Sequence, residues 1–255
     1  MGGLQALLHC GRPGAGARRR AHRPRGTVVR RRARVTRRRS SYRSLRSLQR
    51  DVRACRACVE AGFPLESLPV VHGHEGQLAY ILGQAPGWVE GEERRPWRGR
   101  AGGTLRRWLD MDEDEFYGTF YCASVTRCYP GRSPGGRGDR TPTPREQELC
   151  AFWREWELRL LRPGLVVTVG GLAARRLLGL VRLGECVGRR FTYGDAVAIP
   201  LPHPSGASGW LNDPANRALV AEAAALVRDE LDRLRGAGPL SPSAPSIRRR
   251  TGTDT

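Results

Sequence analysis

Four short apolar runs constrain the fold most: Gln77–Gly83 (QLAYILG), Gly118–Val125, Leu165–Val169 (LVVTV) and Ala196–Leu201. Each has the length of one buried strand, and helical patterns separate them. Ala101–Met111 is a short helical pattern. Pro144–Leu161 is a long amphipathic one with acids early and Arg late, as the helix dipole favours. Gly171–Leu180 is a third. Asp213–Arg235 closes the series, with Asp213 as N-cap and Pro214 in its first turn. Apolar strands alternating with helices predict a parallel sheet covered on both faces. The expectation is one α/β domain over residues 51–237, a three-layer α/β/α fold with a central, mostly parallel four-stranded sheet. Ligands of such sheets bind beyond the carboxyl ends of the strands. Three of the four strands end in polar, Gly- or Pro-containing sequence, so the site is expected there.

The charge is unevenly placed. Net charge is +19, yet residues 1–50 hold 16 Arg and no Asp or Glu, leaving +3 for the remaining 205 residues. All 44 basic residues are Arg, which together with abundant Gly, Ala, Leu and Pro reflects a GC-rich genome. Residues 1–50 have too little apolar surface to offset the entropy of ordering and read as a disordered tail. Three readings of that segment stay open: a plain tail or mis-assigned start, a DNA-tethering arm held by phosphate charge, and a transit peptide lacking the long amphipathic pattern. Residues 238–255, rich in Pro, Ser and Arg, read as a second disordered tail. No apolar run approaches the ~18 residues of a membrane helix.

Seven cysteines, Cys10, Cys55, Cys58, Cys122, Cys128, Cys150 and Cys186, with no secretory signal, argue against a disulfide scaffold. Cys55-Arg-Ala-Cys58 is a C-x₂-C pair at the entry to the folded region. Cys128 ends a strand and Cys150 lies near the start of the next helix. Four thiolates fit either tetrahedral Zn²⁺ or a [4Fe–4S] cluster, and spacing does not choose between them. Cys122 and Cys186 read as small buried hydrophobes.

The string Leu82-Gly83-Gln84-Ala85-Pro86-Gly87, then Glu90, then Pro96-Trp97-Arg98-Gly99-Arg100-Ala101-Gly102, is specific. With the four cysteines and His203-Pro204-Ser205-Gly206, it resembles the uracil-DNA glycosylase superfamily. The nearest likeness is to its iron–sulfur (family 4) branch, over residues 55–235. That branch carries G-E-A-P-G, an E-D pair, P-F-V-G-x-A-G and H-P-S, opening with C-x₂-C.

The resemblance implies a monofunctional DNA glycosylase that hydrolyses the C1′–N bond of uracil or another deaminated base and so starts base excision repair. It implies a structural [4Fe–4S] cluster on Cys55, Cys58, Cys128 and Cys150, rather than zinc. Expected further are DNA containing a deaminated base as partner, no membrane, a monomer, and a bacterial cytoplasmic location at the nucleoid. His203 would donate a hydrogen bond to the leaving base's O2, while Gln84, Ala85, Trp97 and Ser124 would bind the base. Gly99, Ser205, Gly206 and Ala207 would contact DNA.

Departures from the pattern matter. Gln84 stands for the motif's Glu and Gly91 for its Asp, so Glu90 becomes the candidate carboxylate for water activation. Ser124 stands where an Asn reads the uracil edge, which opens the pocket to hypoxanthine or xanthine. Ala207 is too small for the usual apolar wedge, with Trp210 and Leu211 as substitutes nearby. The insertion Gly131–Thr143 offers Arg132, Arg137 and Arg140 to phosphates but lacks the histidine that traps the sugar in a related branch. The rival readings are a catalytically weak or inactive DNA-binding relative and a Cys₄ redox protein.

Overall fold

The computed structural model describes residues 36, 38–135, 138–180, 182–205 and 209–237. Its core is one sheet, in which β1 (Ala79–Gly83), β2 (Phe120–Ser124), β3 (Leu165–Val169), β4 (Phe191–Tyr193) and β5 (Ala196–Leu201) run in the order β2-β1-β3-β5-β4. β1 pairs parallel with β2 and β3, and β3 pairs parallel with β5. These four are the expected strands. The sheet has five strands rather than four, because β4 adds to the edge antiparallel to β5. β4 has only three residues, none fully buried, so it carries no apolar run to betray it.

Helices α1 (Leu45–Arg53) and α2 (Ala57–Glu60) precede β1. Between β1 and β2 lie α3 (Trp88–Glu93), α4 (Arg100–Leu109) and α5 (Glu113–Thr119); α6 (Pro144–Leu161) joins β2 to β3. After β3 comes α7 (Gly171–Leu178), and α8 (Pro214–Gly236) follows β5. Two starts are dictated locally. Thr143 and Glu146 form a reciprocal capping box at α6, with Pro144 in the first turn. Asp213 accepts from the Ala215 N–H at 2.8 Å and caps α8.

Strand alternation sorts the side chains into two cores. Ala79, Ile81, Val167 and Ile199 face α4, α5 and α8, meeting Leu105, Phe116 and Leu231. Tyr80, Leu82, Val166 and Ala198 face the opposite way, against Leu48 of α1 and Trp153 of α6. The result is the three-layer α/β/α arrangement, each large apolar side chain contributing about 1.5–3 kcal/mol on burial. The α6 side also buries charge: Arg127 and Glu157, 3% and 1% exposed, form an ion pair. Glu157 accepts further from Tyr80 (2.9 Å) and Tyr121 (3.0 Å), so both of its oxygens are satisfied.

The tail boundary expected at residue 50 falls inside α1. Tyr42, Leu45 and Leu48 are buried, which ties this segment to the sheet. Two of the tail's arginines are structural: Arg39 pairs with Asp51 at 2.7 Å, and Arg38 lies over the Phe152 ring and bonds the Leu149 carbonyl. The rest of the expected tails, residues 1–35 and 238–255, with Cys10, lies outside the described residues. Among the described residues no helix is long and apolar enough to cross a membrane.

Candidate active site and cysteine pocket

The carboxyl ends of β1, β2 and β5 deliver their residues to one cleft of about 670 Å³. β1 runs from Gly83 into the Gln84–Gly87 turn, β2 ends at Ser124, and β5 leads through Pro202 to His203; all but Pro202 line the cleft. β3 contributes indirectly. Gly170 at its end has φ +90°, and a Cβ there would sit 3.4 Å from the His203 Cβ, so it backs the imidazole closely.

The His203 ring has an assignable tautomer. Ser205 donates its backbone N–H to Nδ1 at 3.3 Å, and its hydroxyl lies 2.9 Å from the same atom. A backbone N–H only donates, so Nδ1 accepts and Nε2 carries the proton. Burial lowers the His203 pKa below its ordinary value, against the opposing charges of Glu90 and Asp139. At neutral pH the cleft therefore holds a neutral imidazole whose donor is Nε2–H.

Trp97 forms a wall of this cleft from within the core. Its backbone is left-handed, φ +59°, a strained state for a bulky residue. Two contacts hold it. Arg106 donates to the Trp97 carbonyl at 3.0 Å, and the absent side chain of Gly102 leaves room for that carbonyl, since a Cβ would lie 1.8 Å from the oxygen. The indole packs onto Gly83, where a Cβ would come within 2.9 Å of the ring.

Two carboxylates flank the Gly87 turn. Glu90 accepts the Gly99 N–H at 2.8 Å, and its other oxygen lies where only a glycine at position 87 leaves space. Asp139 accepts from the Tyr129 hydroxyl at 3.1 Å, with Oδ2 3.2 Å from the Cβ position of Gly87. Ser124 donates its hydroxyl to the Thr126 carbonyl at 2.8 Å, which leaves its oxygen lone pairs as the polar feature it presents to the cleft.

Cys55, Cys58, Cys128 and Cys150 line a second pocket, between α2, the end of β2 and α6. None of the four is joined in a disulfide. Burial and the neighbouring thiols push Cys58 up to about 12, and burial pushes Cys150 to about 11 and Cys128 higher still. Thiols so placed do not ionise together without a cation among them, and four thiolates are a donor set that fits either a tetrahedral zinc ion or an iron–sulfur cluster. Trp153 donates its indole N–H to the Cys55 sulfur at 3.3 Å. Among the described residues no three His, Cys, Asp or Glu side chains close on one point as a single ion requires. Cys122 and Cys186 are buried apart from this pocket, as expected of them.

A protein-family model described as the uracil DNA glycosylase superfamily matches residues 73–227. The chain belongs to that superfamily. Three curated relatives named type-4 uracil-DNA glycosylase are similar to it. The Thermotoga maritima protein is 31% identical over 59% of this chain and 77% of its own length. Those of Archaeoglobus fulgidus and Pyrobaculum aerophilum are both 28% identical, over 51% and 45% of this chain. The chain spans 61% and 59% of the length of these last two.

For this superfamily member, the cleft gathers Gln84, Ala85, Glu90, Trp97, Gly99, Ser124, His203 and Ser205 of the expected site. Gly206, Ala207 and Arg137 lie outside the described residues. Of the substitute wedges, Trp210 packs against the core and Leu211 lines a separate pocket between α4 and α8. Arg140 is not free for phosphate: it grips Glu146 through two bonds of 2.7 and 2.8 Å. Asp139 was missed. Its signal was its place in the inserted loop, which reads as solvated until the bridge between Arg132 and Asp139 folds it over the cleft.

Proposed function

We propose that the chain hydrolyses the N-glycosidic bond of uracil in DNA, binding the base extrahelically in the cleft beside His203. The observation that carries this is the single tautomer of His203, a neutral Nε2–H donor at the end of β5. As the C1′–N bond lengthens, negative charge grows on the base and positive charge on the sugar. The imidazole Nε2–H donates to the base O2, an interaction worth roughly 2.7–4 kcal/mol in the transition state. The base leaves as the anion and takes a proton from solvent, while water adds its oxygen to C1′ and gives up a proton. Glu90 and Asp139 are the carboxylates that orient that water, with Glu90 fixed by the Gly99 N–H.

Ser124 gives selectivity by polarity. With its proton engaged by Thr126, its oxygen accepts, which suits the N3–H of uracil and not the bare N3 of cytosine. Trp97 provides the stacking face, and Gln84 and Ala85 the floor. Gly99 and Ser205, which line the cleft, approach the DNA backbone. Cys55, Cys58, Cys128 and Cys150 are the residues that would hold a [4Fe–4S] cluster. What supports a cluster over zinc is the cysteine pattern shared with the iron–sulfur branch, Cys55-Arg-Ala-Cys58 followed by Cys128 and Cys150. Bound there, a cluster would tie the α1–α2 segment to the loop after β2 and to α6, a structural role apart from the bond cleavage.

The test is single-turnover base release, at low salt, from oligonucleotides bearing uracil, hypoxanthine, xanthine or thymine, single-stranded and duplex. Release of uracil ahead of the others is expected. No release of any base by protein with full iron content would overturn the reading.

A further inference from the structure

The most exposed large apolar residue among those described is Trp88, at 56%. It opens α3, directly after the Pro86-Gly87 turn, and lines the mouth of the cleft without joining either core. A single exposed apolar side chain is ordinary. This one has company on the same cleft: Arg100 and Arg132. Of the neighbouring arginines, Arg95, Arg98 and Arg106 are engaged with Glu113, and Arg98 also with Glu93. Arg100 and Arg132 have no ion pair among the described residues.

We infer that Trp88 is a stacking platform for a base of the DNA strand beside the extrahelical nucleotide, with Arg100 and Arg132 holding the adjoining phosphates. An aromatic face between cations is how proteins track a single strand without reading its sequence. The charge arrangement agrees: carboxylates lie at Glu90 and Asp139, while free cations and the indole are available to a strand entering the cleft. The indole sits on a turn fixed by Pro86, so little entropy is lost on stacking. The inference takes the strand's identity from the glycosylase reading but concerns binding alone. It predicts no preference among bases, since every base has a π-face.

The experiment measures anisotropy of a fluorescein-labelled, uracil-free single-stranded oligothymidylate with the cluster-containing full chain. Trp88→Ala should bind about tenfold or more weakly, as loss of one stacked base implies, and Trp88→Phe should recover most of the affinity. A second set of oligonucleotides carries a tetrahydrofuran spacer, which has no base, at successive positions. One position should weaken the wild type and leave Trp88→Ala unaffected. Equal affinities of wild type and Trp88→Ala, or a loss on Trp88→Ala that no spacer position mirrors, would overturn the inference. Wild-type uracil release, measured separately, decides the glycosylase reading, so the two fail independently.

Discussion

At the scale of single residues, the site depends on glycines and on one ring's protonation. Gly102 is required by sterics, since a Cβ would collide with the Trp97 carbonyl oxygen. Gly102→Ala is therefore expected to lower the melting temperature and impair base release together, as Trp97 leaves its left-handed backbone. Calorimetry alongside single-turnover assays would check this, and an unchanged protein would show that the Trp97 geometry is not required. Ser124→Ala removes the acceptor but not the fold. It should slow uracil release, with discrimination between uracil and cytosine falling, as read from competing substrates. Both residues stood in recognisable motifs, so their places were legible in the sequence. The direction of the Ser124 hydrogen bond was not, because it is set by the Thr126 carbonyl two residues on.

At the scale of elements, β1, β2, β3 and β5 were legible because buried parallel strands are continuous apolar runs, and α6 because its caps are local. β4 and α5 were not. α5 has a local start, Asp112 accepting the Glu115 N–H at 2.8 Å, but is only seven residues long and runs straight into β2. β4 takes its order from pairing with β5, a tertiary fact. Asp139 escaped for the same reason, since its partner Tyr129 meets it only when the loop folds back. The element-scale ion pair gives a sharp expectation. Arg127→Met leaves Glu157 charged and buried, at a cost of about 3–5 kcal/mol, whereas adding Glu157→Leu should recover only part of that loss, because the buried Tyr80 and Tyr121 hydroxyls then lose their acceptor. Denaturant midpoints of the two variants would decide it. At the α6 start, Thr143→Ala should cost about 0.5–2 kcal/mol by the same measurement.

Taken whole, the molecule couples folding to pH through two histidines. Burial lowers the pKa of both His203 and His72 in the folded state. The unfolded chain therefore binds these protons first as pH falls. Their stabilising effect is complete above the unfolded value of about 6.5 and is lost as pH drops through the depressed folded values. Melting temperature should fall on acidification below that point, and less steeply in His72→Gln. A slope unaltered by that substitution would remove His72 from the account.

The most direct measurement is single-turnover release of uracil from DNA by wild type and His203→Ala, matched for iron content and melting temperature. The account predicts release by the wild type and a drop of about 10²–10³-fold in the variant, the loss of one transition-state hydrogen-bond donor. Equal rates in the two proteins would contradict it.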